Sequence, residues 1–207
     1  MVDEHPDFVS LLNQSKPADW TFPSPAIAAY LQRLWHKNQE INLFSRKMSP
    51  DQLVIEHALD CLAALPFFPD AGSLVDLGAG GGMPGILLAL SKPQLQVRLY
   101  EKSPLKCQFL NEQTTFVPNV SVAGPLEQVD WSTQTLVTAR AFKPLATILA
   151  LTQTHNRNGG RYLLYKGKKE TIEAELAEAD RYLKRRHVRL IPLQIPFDAE
   201  RHLVEIC

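Results

Sequence analysis

The sequence predicts an α/β protein with a mostly parallel, doubly wound sheet, an antiparallel last strand and an N-terminal helical appendage. Three observations carry that prediction. The stretch 74–90, LVDLGAGGGMPGILLAL, is apolar, then glycine-rich, then apolar again, which is the pattern of strand, tight turn and helix. From residue 73 onward, short apolar runs alternate with segments of helical spacing. Before residue 70, apolar residues recur only at helical spacing. Strand–helix alternation implies parallel strands joined by crossover helices.

Taken in order, residues 5–15 carry Phe8, Leu11 and Leu12 and predict a short helix. Pro17, Pro23 and Pro25 mark 16–25 as a connector. Ser24 reads as a helix cap with Pro25 at the first helical position. Ile27, Tyr30, Leu31, Leu34 and Trp35 then share one face. Ser49-Pro50-Asp51 opens a third helix, whose face is Leu53, Val54, His57, Leu62 and Leu65. Residues 1–70 are therefore expected to form the appendage and 71–207 the ligand-binding core. Within the core, strands are expected at 73–77, 97–100, 120–122, 135–139 and 161–165, with helices at 84–91, 103–116, from 144, and at 169–186. Strands 188–195 and 202–206 close the chain as an antiparallel pair.

Composition excludes several classes. Lys+Arg and Asp+Glu are both 22, so no net field steers the chain toward nucleic acid and any basic face must be local. Cys61, Cys107 and Cys207 are scattered without a C-x-x-C, which argues for a reducing compartment and against disulfides and zinc. The start, MVDEHPDF, has no apolar segment of a signal peptide. No run approaches the roughly 18 apolar residues of a membrane span. The expectation is a cytoplasmic protein with no membrane and no metal.

Two ligand motifs overlap in the glycine turn. Gly80, Gly82 and Gly85 satisfy G-x-G-x-x-G, the dinucleotide fingerprint. Asp76, Gly78, Gly80 and Gly82 satisfy D-x-G-x-G-x-G, the pattern of S-adenosylmethionine (AdoMet) methyltransferases. A pyrophosphate needs bare N–H groups there, and a carboxylate repels it. AdoMet has no phosphate; its sulfonium and ammonium suit a carboxylate. Asp76 thus favours AdoMet over NAD, against a third reading of a purely structural turn. Glu101, at the end of the next strand, is placed to accept hydrogen bonds from ribose hydroxyls. Leu126 and Glu127 follow the third strand, where an adenine lies if the cofactor crosses the sheet's edge. Arg140-Ala141-Phe142 follows the fourth strand; the arginine either stacks on a base and holds a phosphate or caps the sheet. Lys166, Lys168 and Lys169 follow the fifth strand. Arg181, Lys184, Arg185, Arg186 and Arg189 make a second basic cluster, either a phosphate site or a solvated face. His57 and Asp60 share one helix face.

These residues resemble a known family. INLFS (41–45), HALDCL (57–62), VDLGAGGGMPGILLAL (75–90), ARAF (139–142), YKG (165–167) and ERHLVEI (200–206) are similar to the RsmG (GidB) methyltransferases. These enzymes methylate N7 of a guanine in small-subunit ribosomal RNA. The resemblance implies a Rossmann-like class I AdoMet methyltransferase fold. It implies AdoMet contacts at Gly78, Met83, Leu126, Glu127 and Arg140, with the ribose acid at Glu101. It implies ribosomal RNA as partner, with Arg140, Lys166, His57 and Arg201 on the RNA side; a monomer is the expectation, although the sequence does not fix the oligomeric state. It implies no catalytic base, since guanine N7 has a free lone pair and no proton to lose. Glu56 and Pro125 stand where the family usually has basic residues, which leaves another RNA or a small molecule as the alternative substrate.

Overall fold

The structure, a computed structural model, describes residues 6–124, 131 and 136–207. The N-terminal helices are α1 (Phe8–Ser15) and α2 (Ser24–Glu40). The side chain of Asp7 caps α1 by accepting from the Ser10 backbone N–H (3.1 Å). Ser24 is not the cap of α2 but its first residue, with Pro23 at the cap position. Its hydroxyl instead donates to Asn13 Oδ1 (2.9 Å), tying α2 back to the end of α1.

The third helix is one continuous rod of three segments. It opens as α3 (Pro50–Gln52), widens to a π-helix over Leu53–Leu59 and closes as α4 (Asp60–Leu62). Ser49 and Gln52 form a reciprocal capping box at its start, as the Ser-Pro-Asp signal predicts. The π segment has no signature in the apolar spacing, and it carries His57. A single 3-10 turn, Leu65–Phe67, leads into the sheet.

The sheet has seven strands in the order β3-β2-β1-β4-β5-β7-β6. They are β1 (Ala71–Leu77), β2 (Gln94–Tyr100), β3 (Val120–Ala123), β4 (Leu136–Arg140), β5 (Arg161–Lys166), β6 (Val188–Pro192) and β7 (His202–Ile206). β1 to β5 pair in parallel. β7 is antiparallel to both neighbours and lies between β5 and β6. The expected antiparallel pair is therefore present, with the last strand inserted rather than added at the edge. The crossovers are α5 (Gly85–Ser91), α6 (Pro104–Thr114), α7 (Leu145–Leu151), α8 (Gln153–Arg157) and α9 (Lys169–Leu183). The single helix expected from residue 144 is broken at Thr152. The Thr152 hydroxyl donates to Ile148 O (2.8 Å) and meets Tyr162 OH (2.8 Å), a back-bond that bends a helix.

Strand alternation divides the core in two. Leu74, Leu163 and Leu203 face a cluster that also holds Phe8, Leu31, Leu59, Ile86 and Phe109. Val75, Leu77, Val137 and Tyr162 face the other, closed by Leu145, Ile148 and Ile172. The N-terminal helices thus share one continuous core with the sheet. Among the described residues, no helix is long and apolar enough to cross a membrane.

Candidate cofactor and RNA site

The strand order reverses between β1 and β4, and ligands of open α/β sheets bind at that switch, beyond the strands' carboxyl ends. The glycine turn starts there. Gly78 and Ala79 N–H both donate to Tyr100 O at the end of β2 (2.8 and 3.0 Å), which fixes the turn against the neighbouring strand. Gly80 has φ +58°, and a Cβ built on it would meet only Gly78 O at 3.9 Å. It therefore stands at an open face in a left-handed conformation that glycine favours. Glu101 lies alongside: its Oε2 accepts from Gly80 N–H (3.0 Å) and its Oε1 from Ser103 N–H (2.8 Å). A carboxylate held by two backbone donors keeps lone pairs for ribose hydroxyls. These residues fit AdoMet: a bare backbone at an open turn with an oriented acid beside it.

Other predicted contacts sit differently. Asp76 is 1% exposed, and its Oδ2 accepts from Gly85 N–H (2.9 Å) at the start of α5. The expected direct attraction between this carboxylate and a cationic ligand is not met; Asp76 lies beneath the turn and holds its shape. Its other oxygen is buried without a partner, and burial pushes the carboxyl up to about 7 against the pull of the Gly85 N–H. Gly82 also faces inward, because a Cβ there would run into Ile86 and Leu110. Met83 is half-buried beside it. Gly78 is overlaid by Phe142, whose ring a Cβ would strike. Leu126 and Glu127 lie outside the described residues.

Across the switch point, a cleft of about 470 Å³ is lined by Arg140, Phe142, Lys143, Lys166 and Arg201, with Asp60 among them. Asp60, 2% exposed, is its hub. Its Oδ2 accepts from Arg140 (3.0 Å) and its Oδ1 from Arg201 Nε (2.9 Å). Arg140 also donates to His57 Nδ1 (2.9 Å). Because a guanidinium can only donate, the His57 proton is on Nε2. Burial, reinforced by Arg140 and then Arg201, pushes His57 down to about 4, so the ring is neutral. The network joins Arg140, His57 and Arg201, three of the four predicted RNA-side residues. Lys166 stands apart, its Nζ donating to Glu175 Oε2 (2.6 Å) and Lys143 O (3.2 Å). Arg140 is thus turned inward to a carboxylate rather than outward to a base. Ala141, next to it, has φ +52°, an uncommon conformation for a residue with a Cβ that swings Phe142 back over Gly78.

Sequence reasoning missed the residues that hold the turn from behind. Tyr30 OH donates to Gly81 O (2.7 Å), and a Cβ on Gly81 would come 2.8 Å from Leu34. Asn38, buried in α2, accepts from Leu43 and Phe44 N–H (2.8 and 3.0 Å) and anchors the INLFS stretch. A polar residue interrupting the face of α2 was the only signal available for Asn38.

The sequence profile described as rRNA small subunit methyltransferase G matches residues 24–204. The chain belongs to that family. Ribosomal RNA small subunit methyltransferase G 1 of Bdellovibrio bacteriovorus is 41% identical over 188 residues, covering 88% of this chain and 89% of the relative. Ribosomal RNA small subunit methyltransferase G of Xanthomonas campestris pv. campestris is 37% identical over 198 residues, covering 93% and 90%. As in the name of the methyltransferase G family, the architecture is that of methyltransferases. Aeropyrum pernix fibrillarin, solved with natively bound AdoMet, superposes with a TM-score of 0.56 at 14% identity over 72% of this chain and 73% of that one. A putative O-methyltransferase from Klebsiella pneumoniae superposes at 0.58 and 14% identity over 96% and 94%. At such identities the likeness establishes the fold: a class I AdoMet methyltransferase sheet.

Proposed function

We propose that this enzyme transfers the methyl group of AdoMet to N7 of a guanine in small-subunit ribosomal RNA. The observation that carries the reading is the adjacency, at one switch point, of the open glycine turn with Glu101 and the cation-lined cleft around Asp60. Membership of the methyltransferase G family supports the ribosomal substrate.

AdoMet supplies a methyl group bonded to a positively charged sulfur. With AdoMet bound, the guanine N7 lone pair would form the new C–N bond as the C–S bond broke, leaving the sulfur neutral and the positive charge on the base. No proton moves. Most of the cleft's ionisable groups are engaged with one another: Asp60 with two arginines, Lys166 with Glu175, and His57 neutral against Arg140. Their task is to align the base with the methyl group, and alignment alone is worth several kcal/mol of barrier. The Gly turn and Glu101 would hold the cofactor, while Phe142 and Arg201 border the space the base would enter. On this reading the enzyme is a monomer that acts in the cytoplasm, where ribosomal subunits are assembled.

The test is transfer of labelled methyl from AdoMet to purified small-subunit ribosomal RNA, followed by nucleoside analysis. The reading predicts label in N7-methylguanosine. Label in another nucleoside would overturn the N7 assignment, and AdoMet binding without any transfer to RNA would overturn the substrate.

A further inference from the structure

At the opposite edge of the sheet, the C-terminal ends of α8 and α9 enclose a second concavity of about 620 Å³. Its charged lining is Arg157, Arg181, Lys184, Arg185 and Arg186, and no acidic residue lines it. Among the described residues, none of these five cations makes an ion pair. Arg140, Arg161, Arg189 and Arg201, by contrast, are all paired with carboxylates. In a chain whose charges balance at 22 each, five unpaired cations around one hollow create a local positive potential that acids elsewhere do not cancel at short range. Helix dipoles account for part of it, since cations suit helix C-termini. Lys184 and Arg185 stand past the end of α9, however, and both are exposed.

The five have different tasks. Arg186 is spent on the fold: its guanidinium donates to Asn156 O (2.7 Å) and to Gly160 O, making the floor of the hollow. Arg181 is stacked on Tyr182 (4.6 Å) and donates to its hydroxyl (2.6 Å). That covers one face of Tyr182, the aromatic side chain of the lining, and leaves the hollow mainly cationic. Arg157, Lys184 and Arg185 remain for an anion. Phosphate is recognised without a base by such groups, and these contacts position RNA without reading its sequence.

We propose that this hollow is a second RNA-docking site that binds the phosphodiester backbone of the substrate, remote from the methylated base. The inference rests on the small-subunit RNA reading above. β5 connects the two sites: Arg161 begins beside the hollow and Lys166 ends in the cleft, a strand of 6 residues. At about 3.3 Å per residue step the separation is roughly 17 Å. A folded RNA spans that distance easily, whereas a free nucleotide does not. The remote contact supplies affinity and orientation, and the cleft selects the base.

The test uses the full chain with Lys184→Ala and Arg185→Ala together, with Lys184→Glu and Arg185→Glu as a second variant. Salt-dependent binding to small-subunit ribosomal RNA and the KM–kcat split of methyl transfer are measured. Loss of two phosphate contacts should lower the log–log salt slope by up to about 2 and raise the RNA KM roughly 10- to 30-fold. kcat at saturating RNA and AdoMet affinity should stay at the parent's values, and the glutamate pair should bind more weakly than the alanine pair. Exchange to Lys184→Arg with Arg185→Lys should restore binding. Unchanged slope and KM in both loss variants would overturn the proposal, as would an equal loss in the charge-conserving exchange. If the parent transfers no methyl to this RNA, the functional reading fails, and the salt slope still decides the hollow separately.

Discussion

Asp76 has one carboxylate oxygen on Gly85 N–H and the other buried without a partner, in a side chain 1% exposed. Its proton is held more tightly in the folded state, up to about 7 against 3.8 for an ordinary aspartate. Between those two values the folded chain binds a proton that the unfolded chain has released, so its contribution to stability falls as pH rises through that window and levels off above it. Asp76→Asn keeps an acceptor for Gly85 and removes the titration. The variant should lose less stability than the parent between pH 4 and 7.5, by on the order of 2–4 kcal/mol. Denaturant titrations at both pH values check this, and parallel pH curves would refute it. Glu101 gives a cleaner ligand test: Glu101→Ala should weaken AdoMet by roughly 1.5–3 kcal/mol by calorimetry, the scale of a hydrogen bond to a charged group. Asp60→Ala should be more damaging, at about 3–5 kcal/mol of stability, because Arg140 would keep a buried charge without its partner. Urea unfolding measures that loss. The glycine turn and Glu101 were legible because their chemistry is local in sequence. The true place of Asp76 was not, since a motif letter does not say which side of the turn a side chain occupies. Nor was the pairing of Asp60 with Arg140 and Arg201, which joins residues far apart in the chain.

At the scale of elements, α2 is the brace of the cofactor turn. Its Tyr30 hydroxyl ends on Gly81 O, and Leu34 packs against the same glycine. Tyr30→Phe should cost about 0.5–1.5 kcal/mol of stability. Because the lost bond ends on the turn, it should also weaken AdoMet several-fold, while the exposed Gln39→Ala on the same helix should do neither. Paired thermal melts and AdoMet titrations decide; unchanged affinity in Tyr30→Phe would reduce α2 to a covering helix. Periodicity predicted α2 and its buried face, including Tyr30 and Leu34, but it could not say what lay opposite. The π segment at Leu53–Leu59 and the break at Thr152 were illegible for a related reason. Both depend on backbone bonds and tertiary partners, to which apolar spacing is blind. The strands were easier, because buried parallel strands are continuous apolar runs and the turns between them carry Gly, Pro or Ser.

At the scale of the molecule, the neutral net charge conceals a division of labour. Acids and bases are paired around Asp60, Glu175 and Glu205, while five cations without an ion pair line one hollow at the far edge of the sheet. The sheet carries the cofactor turn at its switch point, and the N-terminal helices share its core rather than standing apart. The class of the fold and the order of its elements could be read in advance, and so could the presence of an antiparallel pair at the end. Which strand lay between which could not, because register and strand order are set by the packing of both faces. The reaction proposed for this enzyme is methyl transfer to N7 of a guanine in small-subunit ribosomal RNA. Its most direct test is to map N7-methylguanine in that RNA from cells with and without this gene, and from cells carrying Gly80→Asp, which crowds the open turn. One N7-methylguanine should be present in the first and missing from the other two. An unchanged methylation map across all three would contradict it.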